Sequence, residues 1–568
     1  MVSAAARAQF TFTTNDEAIT ITGYTGTGGA VVIPGSTNGY PVTAIGDDAF
    51  IFNTKLTGIT FPDSLISIGD YAFYGCQGLT NVTIPDNVNR VGMASFEFCP
   101  NLAAIFIGGG VTNIGADPFV YCSSLTNIMV ADGNPCYRSV AGVLFDRDLA
   151  VLIQYPPGLA GDYLIPASVT RIVDGAFDAS LLKSITIPGT VTNVGSWAFA
   201  ECASLTNVVL GDGVISLGAE AFYEAPLAEI TLPGSLVEVG ASTFAECRSL
   251  TAIHVNTNNL VYHSENGVLF DRAQTTLVQY PAAAASVYVI PASVTRIGDL
   301  AFFYSGLTTI TIPGTVHSIG FNAFAYSLSL TNVTLGSGVT DIGLVAFYEC
   351  RQLAAVTIPS SVTNIGAEAF YECDRLMNIS IPGSVTRIGA NAFNMCANLT
   401  NVVLADGIQS IGSQAFADCY RLSSIIIPKS ATLIGTGAFS YSPSMAAIYF
   451  KGNPPDTGDV PWLGDDVTTA YYLPGTTNWD NFAVNAGIPV APWMPQWQPD
   501  TTPAIPGQPF RFTINWASGQ TVVVNACSNL TNPAWHPIQT IVLTNDTVRF
   551  SDPEWSKYPA RFYVLGWP

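Results

Sequence analysis

The stretch Thr363-Asn-Ile-Gly-Ala-Glu-Ala-Phe370-Tyr-Glu-Cys373-Asp-Arg-Leu376-Met-Asn-Ile-Ser-Ile-Pro382-Gly-Ser-Val385 decides the fold, because the chain repeats it. Phe370 is one of fifteen phenylalanines, most preceded by Ala: Phe50, Phe73, Phe96, Phe119, Phe177, Phe199, Phe222, Phe244, Phe302, Phe324, Phe347, Phe370, Phe393, Phe416 and Phe439. The steps are 22 or 23 residues, apart from two of 58. Self-similarity at this period is the signature of stacked repeats.

One unit has a legible physics. Leu-x-x-Ile-x-Ile, as in Leu79, Val82 and Ile84 or Leu307, Ile310 and Ile312, is a short strand with alternating apolar positions. A proline often follows (Pro85, Pro188, Pro313, Pro359) and ends it. Val-Thr-x-Ile-Gly turns a second apolar pair inward, and its Gly is expected to permit a tight bend. Ala-Phe adds one small and one large core residue. No single unit can bury its apolar side, whereas stacked neighbours can.

The pattern Leu-x-x-Ile-x-Ile-Pro-x-x-Val-x-x-Ile-Gly-x-x-Ala-Phe-x-x-Cys resembles the BspA-like (Treponema pallidum type) leucine-rich repeats, and covers roughly residues 40–450. The expected fold is mostly β: a leucine-rich-repeat solenoid of ~22–23-residue coils with two hairpin inserts, followed by a small antiparallel β domain. The resemblance implies a surface protein that adheres to proteins or host surfaces.

The expected domains are an N-terminal β cap (1–45), the solenoid (46–450), a degenerate last coil with a Pro-rich linker (451–505, including Trp462), and a small β domain (506–568). Five strands are expected in the last, around Phe510, Thr521, Ile538, Val548 and Arg561. The inserts lie near 131–165 and 256–290. They align when Tyr137 is set on Tyr262, which puts Gln154-Tyr155-Pro156 on Gln279-Tyr280-Pro281 at an offset of 125, the separation of Phe119 from Phe244. A block of repeats with its insert was therefore duplicated. Gly-Val-Leu-Phe-Asp followed by a polar turn reads as a protruding hairpin around Phe145 and Phe270. The start, Met1-Val-Ser-Ala-Ala-Ala-Arg-Ala-Gln9, looks like the cleavage end of a secretory signal, so an extracellular or cell-surface location is expected.

Composition excludes several classes. Of 568 residues only 11% are charged, against about 25% in a typical soluble protein. Hydrophobic residues reach 48%, yet no apolar run approaches the ~18–20 residues of a membrane helix, so membrane insertion is not expected. Twenty basic residues against 41 acidic ones give −21, a field that repels nucleic acid and anionic lipid.

Nine of the 11 cysteines sit three residues after a repeat Phe (76, 99, 122, 202, 247, 350, 373, 396 and 419). Other units place Asn53, Ser180, Ala225, Ser305, Ser327 or Ser442 there, so the position wants a small side chain. A buried ladder of free thiols is expected. No Cys-x-x-Cys occurs, which argues against zinc. The four histidines (254, 263, 317 and 536) occupy unrelated positions, and no nucleophile elbow or phosphate loop is present. No residue is assigned to catalysis, a cofactor or a metal.

Two surfaces remain as candidates. Glu201, Glu224, Glu246, Glu349, Glu372 and Asp418, two residues after the repeat Phe, form an acidic stripe: a solvated edge or a docking strip for cations or a basic protein. The outward strand residue is usually Thr or Ser, but is Phe106, Met129, Val209, His254, Val403, Ile426 and Tyr449 in other coils. That face is expected to bind a protein or glycan. The expected function is a non-enzymatic binding scaffold. A structural spacer or a hydrolase site on the inserts or C-terminal domain are the alternatives.

Overall fold

The computed structural model describes residues 9–457, 468–499 and 509–567. The Ala-rich start before Gln9, Trp462 and the end of the Pro-rich stretch lie outside the described residues. The chain divides into two compact units, 1–376 and 377–568.

In the first unit each coil contributes two parallel strands. A four-residue strand such as Asn81–Ile84 pairs with Ala104–Ile107, which pairs with Asn127–Val130, in matching register. A two-residue strand such as Ser67–Ile68 pairs with Arg90–Val91, and that with Asn113–Ile114. Val82 and Ile84 point inward and Thr83 outward, so the alternation read from the sequence is the observed one.

Between these strands lies the turn that carries the repeat Phe. Most of its backbone N–H groups are used. Tyr71, Phe73 and Gly75 donate to Met93, Ser95 and Glu97 carbonyls of the next coil at 2.9, 2.8 and 2.9 Å, while Tyr74 and Cys76 donate three residues back. Pairing buried amides this way avoids the penalty of orphaned donors. The geometry requires left-handed backbone two residues before and two after the Phe, and most of those residues are not glycine: Asp48 and Phe52, Ala94 and Phe98, Glu220 and Glu224. Each costs about 1 kcal/mol or more, which the hydrogen bonds between coils offset.

The glycine of Ile-Gly has a different role from the expected bend. Gly366 has no left-handed φ, but a Cβ there would lie 2.5 Å from the Gly343 carbonyl carbon and Leu344 nitrogen. Close approach of neighbouring backbones is what excludes a side chain.

The rings stack in registered columns. Centroid separations are 4.9 Å for Phe50–Phe73, 4.7 Å for Phe177–Phe199 and 4.6 Å for Phe302–Phe324. In each insert the Gln-Tyr-Pro tyrosine heads the next column: Tyr155 lies 4.9 Å from Phe177 and Tyr280 lies 5.0 Å from Phe302.

The inserts do form hairpins. Tyr137–Val140 pairs antiparallel with Val143–Asp146, which pairs with Val151–Gln154, and the second insert repeats this. They do not protrude, however. Val143, Leu144 and Phe145 are all fully buried, as are Leu269 and Phe270. Leu144 belongs to the core of the preceding coils and Val143 and Phe145 to that of the following ones. The strand is a wall apolar on both faces.

Each insert also closes the ladders behind it. Buried Asn134 donates to the Gly108 and Val111 carbonyls, both at 2.9 Å, and accepts from the Cys136 and Tyr137 N–H groups. Asn259 does the same. Tyr137 Oη accepts from the Ile114 N–H, and Ser139 Oγ from the Val130 N–H. Two open sheet edges are thus satisfied by side chains.

The second unit contains further coils, with Phe393–Phe416 stacked at 5.2 Å and Phe416–Phe439 at 5.9 Å. Asn378–Ile381 pairs with Asn401–Leu404, and Ser424–Ile427 with Ala447–Phe450. The closing coil adds Thr469–Tyr472, the helix Trp479–Ala486 and the strand Val490–Pro492. The terminal module has two three-stranded antiparallel sheets. Arg511–Asn515, Thr521–Cys527, His536–Val542, Thr547–Ser551 and Phe562–Gly566 match the five expected strands. A sixth, Gln496–Pro499, pairs with Arg511–Asn515, where a linker was expected.

All eleven cysteines are free, and all but half-buried Cys136 are buried. The ladder position selects for more than size. Cys122 Sγ donates to the Phe96 carbonyl at 3.0 Å, and Ser327 Oγ takes the same place against the Phe302 carbonyl at 2.9 Å. Burial pushes the Cys202 and Cys247 thiols up to about 12, which keeps them protonated donors. Cys122→Ser should therefore be nearly neutral, whereas Cys122→Ala should cost about 1 kcal/mol from a carbonyl left unpaired. Urea unfolding checks this, and equal losses for both variants would show that only volume matters. Thiol labelling should be slow in the native chain and reach all eleven cysteines after denaturation without reductant.

Candidate functional site

Two surfaces follow from this geometry: the outward face of the four-residue strands and the turn face beyond the Phe column. On the strand face, Phe106 and Met129 are register partners on adjacent strands, with Thr83 on the other side of Phe106. Phe106 is half-buried and Met129 exposed. Val209 is exposed beside Thr186. His254 lies beside Thr231, with Nε2 3.3 Å from Glu229 Oε2. In the second unit Val403 is exposed next to Ser380.

Ile426 and Tyr449 differ from the expectation of a second open apolar cluster. They are register partners, but both are half-buried and pack against a core that includes Trp493, Phe512 and Trp516. The Tyr449 ring lies 4.8 Å from Trp493 and 5.1 Å from Tyr471. Trp516 Nε1 donates to the Trp493 carbonyl at 2.8 Å, and Lys451 Nζ pairs with Asp546 at 3.1 Å. These large apolar side chains seat the terminal module.

The turn face is only partly the expected acidic stripe. Tyr223 Oη donates to Glu246 Oε1 at 2.8 Å, and Arg248 pairs with Glu246 Oε2 at 2.7 Å while lying over the Tyr304 ring at 5.2 Å. Arg351 bridges Glu349 and Glu372 at 2.7 and 2.6 Å. Tyr420 Oη donates to Asp418 Oδ1. Glu201, Glu224, Glu246, Glu349, Glu372 and Asp418 all occupy the left-handed position after the Phe. Much of the stripe is thus neutralised by the chain's own arginines.

Sequence reasoning missed a second set of rings here. Phe52, Tyr74, Phe98 and Tyr121 follow one another at 5.3, 5.3 and 4.2 Å. The signal was present: the residues one and two after the repeat Phe are often aromatic, and adjacent coils bring them together.

A carboxylate group at the first insert was not legible either. Burial, then Asp117, pushes Glu97 up to about 7. Burial, then Glu201 and Asp117, pushes Asp178 up to about 7. Asp178 Oδ1 is buried with no hydrogen-bond partner. Among the described residues, no group of three or more His, Cys, Asp or Glu is placed to hold a metal ion.

The BspA type leucine rich repeat region matches residues 42–137, 170–287, 280–395 and 363–458. Among solved structures, a leucine rich cell surface protein from Faecalibacterium prausnitzii is 30% identical, over 70% of this chain and 93% of that one, with a TM-score of 0.42. A Treponema pallidum leucine rich repeat protein is 25% identical over 43% of this chain and 88% of that one, with a TM-score of 0.26. The pneumococcal vaccine antigen PcpA is 19% identical over 78% and 91%, with a TM-score of 0.39. Among curated proteins none matches.

Two outcomes follow. Ile426→Ser with Tyr449→Ser should destabilise the second unit by about 2–4 kcal/mol through lost apolar burial, read as earlier proteolysis within residues 451–505. Unchanged proteolysis would show that the module is held otherwise. Glu97 and Asp178 titrate above the ordinary carboxylate range when folded, so the native state holds protons that the unfolded chain releases. Stability is then full below the ordinary carboxylate range, near pH 4, and falls as pH rises through 7. The melting temperature should rise between pH 8 and pH 5, and Glu97→Gln with Asp178→Asn should flatten that rise. A rise of equal size in the double variant would assign the effect elsewhere.

Proposed function

Because the chain belongs to the BspA-type leucine-rich-repeat family, we propose that it is a non-enzymatic binding scaffold displayed outside the cell, adhering to a protein or glycan partner through its strand face. Support for the location comes from a relative described as a cell surface protein. Support for the site comes from one observation: Phe106 and Met129 are adjacent on a face where most coils carry Thr or Ser.

A rigid sheet presenting a row of hydroxyls around one apolar pair suits this role. The backbone is held on both sides by neighbouring coils, so binding needs little reordering, and the cost of association stays low. Large apolar side chains on such a face gain most when a partner covers them. A purely structural spacer would gain nothing from them.

The test is surface capture of the full chain on immobilised fibronectin, fibrinogen, laminin and mucin. At least one should retain it, and Phe106→Ser with Met129→Ser should weaken that binding about tenfold or more with little change in melting temperature. Retention of full affinity by the double variant would remove the strand face as the site, and capture by none of the four surfaces would favour the spacer.

A further inference from the structure

The terminal module holds a cleft that the strand-face reading does not use. It has a volume of about 350 Å³ and is lined by Trp497, Phe510, Leu530, Trp535, Arg561 and Phe562 among others. It opens between the two sheets, because Trp497 and Phe510 flank one and Phe562 begins the last strand of the other. Trp497, Trp535 and Phe510 are all exposed. Phe510 stacks on Tyr563 at 5.0 Å and an interplanar angle of 11°, which fixes its orientation.

The polar side of the cleft is equally defined. Arg561 is nearly buried and pairs with nearly buried Asp552 at 3.0 Å. Asp552 also accepts from Tyr563 Oη at 2.8 Å and from the Glu554 N–H at 2.9 Å. The guanidinium lies over the Tyr558 ring at 4.4 Å. Arg561 also lines a second cavity of about 400 Å³, whose wall carries Asn529, Asn532, His536 and Glu554.

We propose that this cleft is a binding site for a neutral oligosaccharide. A pyranose ring has an apolar C–H face that suits an indole or phenyl platform and a rim of hydroxyls that both donate and accept. The cleft offers these two surfaces side by side, and its size falls in the range of small-ligand sites. The Asp552 carboxylate uses part of the guanidinium's donor set, which leaves further N–H groups for acceptors at the wall that Arg561 contributes. The charge of Arg561 is already met by Asp552, so an anionic ligand finds no unpaired cation there. A wholly apolar ligand would strip water from Arg561 without replacing its hydrogen bonds, at a desolvation cost. A polyhydroxylated, uncharged ligand meets neither penalty. The amides of Asn529 and Asn532, on the wall of the second cavity that Arg561 also lines, offer the same chemistry to a second sugar unit.

The experiment is isothermal titration of the full chain with cellotetraose, laminaritetraose, chitotetraose, maltotetraose and mannotetraose, with decanoate as an anionic control with an apolar tail. At least one tetrasaccharide should bind, with an affinity unchanged by 0.5 M NaCl. Trp497→Ala with Trp535→Ala should weaken it by roughly tenfold or more, at an unchanged near-ultraviolet circular dichroism spectrum apart from the lost indoles. Phe106→Ser with Met129→Ser should leave it untouched, which separates this site from the strand face. Absence of binding by all five sugars, binding that survives the tryptophan double variant, or binding of decanoate in their place would overturn the proposal.

Discussion

The backbone hydrogen bond from the N–H of most repeat Phe residues to the carbonyl one coil on is the constraint from which the rest follows. It sets the coil spacing at the turn and brings the rings into columns at 4.6–6.2 Å. At that spacing a Cβ on the Ile-Gly glycine would strike the neighbouring backbone. Phe carbonyls in turn accept a thiol or hydroxyl from the next coil, which explains why Cys and Ser exchange three residues later. Left-handed residues on both sides of the Phe are the conformational cost of the arrangement, tolerated because each is held by neighbouring coils.

A stack of this kind has open edges wherever it stops, and the inserts manage them from within. Asn134 and Asn259 each satisfy two carbonyls and two amides, while Tyr137 and Tyr262 supply hydroxyls to the last short strands. The wall strand between them fills both adjoining cores, and the Gln-Tyr-Pro tyrosine starts the next ring column. The first unit is therefore segmented, with each segment closed before the next begins.

Candidate contacts sit on what the stack leaves outward. Regularity makes most outward positions alike, so departures carry the information. Phe106 and Met129 depart on an open face, whereas Ile426 and Tyr449 depart beneath the terminal module. Their chemistry is similar, and only the packing partner separates a candidate ligand contact from an internal seam. The turn face shows the same distinction, since Glu246, Glu349 and Glu372 meet arginines of this chain while Glu97 and Asp178 are crowded among other acids and held near pH 7.

The sequence by itself determined the period, the inward and outward sides of each strand, the buried free thiols, the equivalence of the two inserts and the five strands of the terminal module. These are properties of side-chain alternation and spacing, which are written along one line of residues. Tertiary structure alone decided the left-handed turns, the close-approach role of glycine, the burial of Phe145 and Phe270, the covering of Ile426 and Tyr449, and the meeting of Glu97, Asp117 and Asp178. Each of these depends on which atoms lie one coil away or across an insert. Backbone acceptors leave no pattern in residue type, because every residue has the same carbonyl.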